Sequence, residues 1–341
     1  MTAPPEPRSP RLRAALRLGR ERWLLVAAAA LLALALADPG VPMARARFDH
    51  VVVLDVTQSM NVTDEQIDGQ PVSRLAFAKQ ALREALLKLP CGSKVGWAIF
   101  TEYRSLLLFA PIDVCDNLVE LRTSLAQIDS RMAWSGNSEV AKGLHSAIGI
   151  ARELADKPTL VFVTDGQEAP PLSPRFRPAF DDKPGEVPGL IVGVGDLVAS
   201  PIPKSDPTGR PLGFWRADEV MQVDPRSRGR GGSVASETMV DSPDSAAAGP
   251  MLGATPGTEH LSALRQDYLQ LLASERGMVF HRLQSRERFV EALMAPALAR
   301  PVTVRASLRP ALAALALCLL LARYLLPWLR RPMRRAGRQA A

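Results

Sequence analysis

Two apolar runs, each with arginines on its outer side, bracket this chain and constrain it more than any other feature. Trp23 to Ala37 is an Ala/Leu-rich run of fifteen residues, and Pro310 to Leu329 is a second of twenty. Residues 1–22 hold six Arg and two Glu, and residues 310–341 hold six Arg and no acid. The formal charge of +7 therefore belongs to the two ends, and the 287 residues between them are slightly acidic. That distribution is a membrane-topology pattern and argues against nucleic acid as a partner.

A spanning helix needs ~20 apolar residues. The first segment approaches that length only by extending over Asp38 to Met43, and Pro39 opposes the extension. Residues 23–43 thus read as a transmembrane helix or as a secretory signal, with an A-x-A site at Ala35-Leu36-Ala37. Residues 309–329 read as a transmembrane helix. Arg323 lies near its end, where it can snorkel, beside the belt-type residues Tyr324 and Trp328. Cys318 is apolar filler in this run. The basic tails, 1–22 and 330–341, are then cytoplasmic, and residues 44–308 are exported, in a bacterial cell to the periplasm.

The exported part reads as an α/β domain. His50 to Leu54, Thr159 to Thr164 and Leu190 to Gly195 are apolar runs of the kind found in buried parallel strands. Val95 to Phe100 and Leu106 to Ala110 are joined by a short polar link, which predicts an antiparallel hairpin. Ser73 caps a helix with apolar positions at Leu75, Ala78, Leu82, Leu86 and Leu89. Further helices are expected over 118–128, 140–154, 259–274 and 286–298, and a strand over 278–281. The result is a Rossmann-like sandwich, with a mainly parallel sheet and one antiparallel edge strand. Residues 196–258 are an excursion rich in Pro, Gly, Ser and Asp, with a local hairpin expected over 201–223. Arg228 to Gly232 within it is read as linker.

Cys91 precedes the first hairpin strand and Cys115 follows the second. Those ends meet in an antiparallel hairpin, and an exported domain sees an oxidising space, so a disulfide is expected. The four His show no metal-ligand spacing. No P-loop, no Gly-x-Ser-x-Gly and no Cys-x-x-Cys occurs, so an enzyme is not expected.

Open parallel sheets bind ligands where their strands end. The first strand ends in Asp55-Val56-Thr57-Gln58-Ser59, which aims a carboxylate and two hydroxyls from one loop. Ser135-Gly136-Asn137-Ser138 opens the helix carrying Gly143-Leu144, and Thr164-Asp165-Gly166 closes a strand. All these donors are oxygen, which suits a hard cation, Mg²⁺ or else Ca²⁺ or Mn²⁺. Glu139 and Glu168 are the other nearby acids, and surface exposure accounts for both.

Asp-x-Thr-x-Ser, then Gly-x-Ser before Gly-Leu, then Val-Thr-Asp-Gly, resemble the metal-ion-dependent adhesion site of the von Willebrand factor A (vWA) domain family. The family usually has Ser where Thr57 stands and Thr where Ser138 stands; both swaps keep a hydroxyl. The resemblance covers roughly residues 48–300. It implies that Asp55, Thr57, Ser59, Ser138 and Asp165 hold one metal ion in exposed loops, and that a protein partner's carboxylate fills its open position. Within the family, the flanking apolar runs, Ser73-Arg74-Leu75-x-x-Ala78-Lys79 and Pro201-Ile202-Pro203 resemble bacterial Bat-type aerotolerance proteins. The loop Asp-Val-Thr-Gln-Ser-Met-Asn-Val and the excursion resemble Mxa-type accessory proteins, associated with maturation of methanol dehydrogenase. The function this implies is assembly or maturation of a periplasmic or membrane complex, in company with other membrane proteins. A metal-dependent hydrolase and a structural membrane protein with an unused site are the other two readings.

Overall fold

The computed structural model describes residues 10–173, 177–206, 208–223, 238–239 and 257–329. The remainder of the basic tails, Arg228 to Gly232 and most of the excursion after Val223 lie outside the described residues. The chain divides into two compact units, residues 46–301 and the two chain ends together.

The central sheet of residues 46–301 has six strands: β1 (Asp49–Asp55), β2 (Lys94–Thr101), β3 (Arg104–Asp113), β4 (Thr159–Thr164), β5 (Gly189–Gly193) and β6 (Val279–Arg282). Their order across the sheet is 6-5-4-1-2-3. All neighbours are parallel except β2 and β3, which form the antiparallel edge. Every residue of β1 and β4 is buried. These strands lie between neighbours and under helices on both faces, which is why they read as unbroken apolar runs.

Alternation along each strand builds two cores. On one face Val52, Leu54, Trp97, Ile99, Val161 and Val163 pack against α1 (Arg74–Lys88), α2 (Leu118–Gln127) and α5 (Arg286–Leu293). On the other, Val51, Val53, Ala98, Phe100 and Phe162 pack against α3 (Val140–Glu153) and α4 (Gln266–Arg276). Each Val, Leu or Phe so buried contributes about 1.5–3 kcal/mol of transfer free energy. Ser73 caps α1 by accepting from the Ala76 amide. Gly277, in the left-handed conformation, ends α4.

The helix expected from Glu259 begins at Gln266 instead. Leu261–Ser262 pairs antiparallel with Ser200–Pro201, so the excursion leaves and returns side by side. Backbone pairing there outcompetes helix propensity, which is only a weak prior. The excursion's first part forms a hairpin, Pro203–Ser205 with Pro211–Phe214. Cys91 and Cys115 are joined by a disulfide with Cα atoms 5.3 Å apart, tying the outer ends of β2 and β3.

The unit formed by the chain ends contains the helices Pro10–Leu36 and Arg309–Leu329, with the paired strands Gly40–Arg47 and Arg300–Ser307 next to them. Among the described residues no helix is long and apolar enough to cross a membrane. This departs from the two transmembrane helices expected from sequence. The first helix stops at Leu36, before Asp38 takes a positive φ of 46°. The fifteen apolar residues before that point would reach only about 22 Å of a ~30 Å hydrocarbon core. In the second helix Arg323 interrupts the run.

Candidate metal centre

Strand β1 lies between β4 and β2, so its C-terminal end is the topological switch point of the sheet. Asp55 ends β1 there and is fully buried. Its Oδ1 accepts hydrogen bonds from the Thr57 amide at 2.9 Å and the Thr57 hydroxyl at 2.6 Å. Its Oδ2 accepts from the Thr164 hydroxyl at 2.6 Å. The chain then turns through a 3₁₀ segment, Gln58–Asn61, which brings Ser59 Oγ to 3.3 Å from Thr57 Oγ1. The i, i+2, i+4 spacing thus gathers three oxygens in one loop.

Ser138 arrives from the other side, just ahead of α3. Its backbone is clamped to Ala169 by two hydrogen bonds of 2.6 and 2.7 Å. Its hydroxyl oxygen is buried and has no hydrogen-bond partner among the described residues. Such an atom costs about 1–3 kcal/mol unless something supplies a partner. Gly143 of the same motif sits where an added Cβ would fall 2.1 Å from the Phe100 ring. Only glycine lets α3 approach β2 closely enough to present Ser138.

Asp165 follows directly on β4 and is also fully buried. Its Oδ1 accepts from the Gln167 amide at 2.9 Å, and its Oδ2 from Arg74 at 2.7 Å and the Ser262 hydroxyl at 3.2 Å. Arg74, the first residue of α1, is itself fully buried and also pairs with Asp64 at 2.6 Å. At Gly195, where φ is +116°, an added Cβ would lie 2.5 Å from Arg74 Nε. The glycine leaves room for the guanidinium. In the sequence Arg74 reads only as part of a motif; two of its partners lie 91 and 188 residues away.

The electrostatics follow from this burial. Desolvation and the charge of Asp165 push Asp55 up to about 7, against the hydroxyl and amide donors that lower it. Burial works against the charge of Arg74, but Asp165 and Asp64 outweigh it and hold the guanidinium above its ordinary value. Asp55 and Asp165 are buried side chains, not members of exposed loops as expected. Glu168 departs in the same way. It is 2% exposed, and burial pushes it up to about 7 although it accepts from the Val140 and Ala141 amides and the Tyr268 hydroxyl.

Thr57, Ser59 and Ser138 line one cavity of about 220 Å³, whereas the buried Asp55 and Asp165 do not line it; Asp55 meets it through its hydrogen bonds to Thr57. Its opposite wall is the excursion: Ile202, Trp215, Glu219 and Val220, with Glu259 beside Gln167. Trp215 Nε1 donates to Gln58 Oε1 of the Asp55 loop. Lys204 lies 4.4 Å over the Trp215 ring and pairs with Glu219 at 2.6 Å. Sequence reasoning missed Glu259, which is 5% exposed, because the residue reads as the start of a helix that in fact begins at Gln266. The donor set fits a hard divalent cation: oxygen throughout, two carboxylates, three hydroxyls and one of those hydroxyls unpartnered.

Fold and crevice together define a doubly wound α/β domain with a carboxylate- and hydroxyl-rich pocket at its switch point. Residues 50–167 match the family model described as the von Willebrand factor type A domain. The chain is similar in structure to an aerotolerance-related membrane protein from Bacteroides fragilis, at 15% identity and a TM-score of 0.46, over 73% of this chain and 98% of that one. It is also similar to proximal thread matrix protein 1 from the mussel byssus, at 12% identity and a TM-score of 0.38, over 78% of this chain and 51% of that one. A von Willebrand factor type A protein from Catenulispora acidiphila matches at 9% identity and a TM-score of 0.35, over 74% and 42% of the two chains. Among curated proteins there is no match.

Proposed function

We propose that Asp55, Thr57, Ser59, Ser138 and Asp165 hold one divalent cation, Mg²⁺ or else Ca²⁺ or Mn²⁺, as a metal-ion-dependent adhesion site. The ion offers an open position to a carboxylate of a protein partner. The observation that carries this is Ser138 Oγ, buried and unpartnered among the described residues on the cavity that Thr57 and Ser59 also line. Asp165 acts through water or as a charge, since Arg74 and Ser262 already engage its Oδ2. Mg²⁺ normally keeps several waters, which suits that arrangement.

The domain is a binding module and not an enzyme, serving assembly or maturation of a periplasmic or membrane complex. A hydrolase gains one supporting observation, the buried Glu168 lining the cavity with a pKa near neutrality. Both its oxygens are engaged by the start of α3 and by Tyr268, which favours a structural role. Capture of periplasmic proteins on the immobilised full-length chain tests the choice. The expected result is a band present in Mg²⁺, lost in chelator and lost in Asp55→Ala. Equal capture in all three would leave the structural reading in front.

We propose that the chain ends bring the domain to the bacterial inner membrane, with residues 44–308 on its periplasmic side. Support comes from the arginines outside each apolar run and from apolar side chains left exposed on both terminal helices, Leu34, Leu36, Leu315 and Leu317 among them. A periplasm-dependent reporter fused after Arg300 should be active; activity only from a cytoplasmic reporter would refute this topology.

A further inference from the structure

The geometry points to a second cation site, for a transition-metal ion of the Zn²⁺ type, formed by His145, Asp181 and Asp182. None of the three lines the crevice of Thr57, Ser59 and Ser138. His145 projects from α3, and the two aspartates follow the short strand Pro178–Ala179. A ring nitrogen of His145 and one carboxylate oxygen from each aspartate lie within 4.8 Å of one another. That separation allows a single ion to reach all three at bond lengths of about 2.0–2.2 Å after small side-chain adjustments.

The cluster is built rather than incidental to the surface. The Asp182 side chain is 2% exposed, while His145 is 34% exposed and Asp181 faces solvent, which leaves an entry path. His145 stacks on Phe180 at 4.4 Å, which fixes its ring. Asp182 Oδ2 takes the 2.7 Å contact from His145 Nδ1 and a 3.6 Å approach by Arg276. Asp182 Oδ1 is buried with no hydrogen-bond partner among the described residues. A buried carboxylate oxygen without a donor is costly, and a cation supplies what it lacks. Arg276 compensates part of the negative charge, so the site does not depend on metal to hold together.

Ligand chemistry decides the ion. One imidazole with two carboxylates is a mixed nitrogen and oxygen set, which favours Zn²⁺ over the hard Mg²⁺ proposed for the all-oxygen crevice. Three protein ligands leave a position for water or for a group from another molecule. Sequence spacing gave no sign of the cluster, because 37 residues separate His145 from Asp182.

The test is a Zn²⁺ titration against a chromophoric chelator, using the tag-free full-length chain in excess Mg²⁺ to fill the crevice. Wild type and Asp55→Ala should each take up one Zn²⁺ competitively, and His145→Ala and Asp181→Asn should lose at least tenfold in affinity. Both of those changes are at exposed or partly exposed side chains, so folding should survive, and circular dichroism checks it. Absence of Zn²⁺ uptake by wild type would overturn the site. So would uptake by folded His145→Ala equal to wild type, or uptake lost in Asp55→Ala alone. The adhesion-site reading stands or falls separately, on Mg²⁺.

Discussion

At the scale of single residues, this domain buries several charged side chains around its crevice. Asp55, Asp165, Arg74 and Glu168 are all at most 2% exposed. Glu168 yields a clean prediction. Its carboxyl stands at about 7 in the fold against an ordinary 4.5. Between those pH values the folded chain keeps a proton that the unfolded chain releases, so this group's contribution to stability falls as pH rises, then levels off above 7. Glu168→Gln removes the titration. Its stability relative to wild type should improve by roughly 3 kcal/mol between pH 4.5 and pH 8, measured by urea unfolding in chelator. His50, which burial pushes down to about 4, has the opposite slope but is common to both proteins and cancels. A difference that does not change with pH would contradict the assignment. The metal-type oxygens were legible because they sit at i, i+2 and i+4 or in short motifs. Arg74, Glu259 and the burial of Glu168 were not, because each is defined by partners about 30 to 190 residues away.

Among the elements, strands β1 and β4 were legible as apolar runs because both of their faces are covered. The hairpin of β2 and β3 followed from the short polar link between them. The start of α4 was not legible, since the pairing of Leu261–Ser262 with Ser200–Pro201 is long-range and leaves no local signal. The hairpin carries the disulfide, whose cysteines are 24 residues apart. In the chain-entropy model a loop of that length stabilises by ~3 kcal/mol. Cys115→Ser should therefore lower unfolding free energy by about 2–4 kcal/mol under oxidising conditions and by little in reductant. Thiol labelling of the oxidised, denatured chain should modify Cys318 alone; labelling of Cys91 and Cys115 without reductant would refute the bond.

For the whole molecule, charge and hydropathy separate cleanly. Basic ends and apolar helices form one unit, and a slightly acidic α/β domain forms the other. The α/β class was legible because strand and helix periods alternate along the chain. The excursion was legible as composition and as a local hairpin, and its part over 200–223 walls the cavity through Trp215 and Glu219. The central claim is that the crevice holds a hard cation. Titration calorimetry of the full-length chain with Mg²⁺ tests it most directly, run on wild type, Asp55→Ala, Thr57→Ser, Thr57→Val and His145→Ala. Wild type, Thr57→Ser and His145→Ala should bind one Mg²⁺ alike, because each keeps the five oxygens. Thr57→Val should bind more weakly and Asp55→Ala not at all. No Mg²⁺ uptake by wild type, or uptake by Asp55→Ala equal to wild type, would contradict the claim.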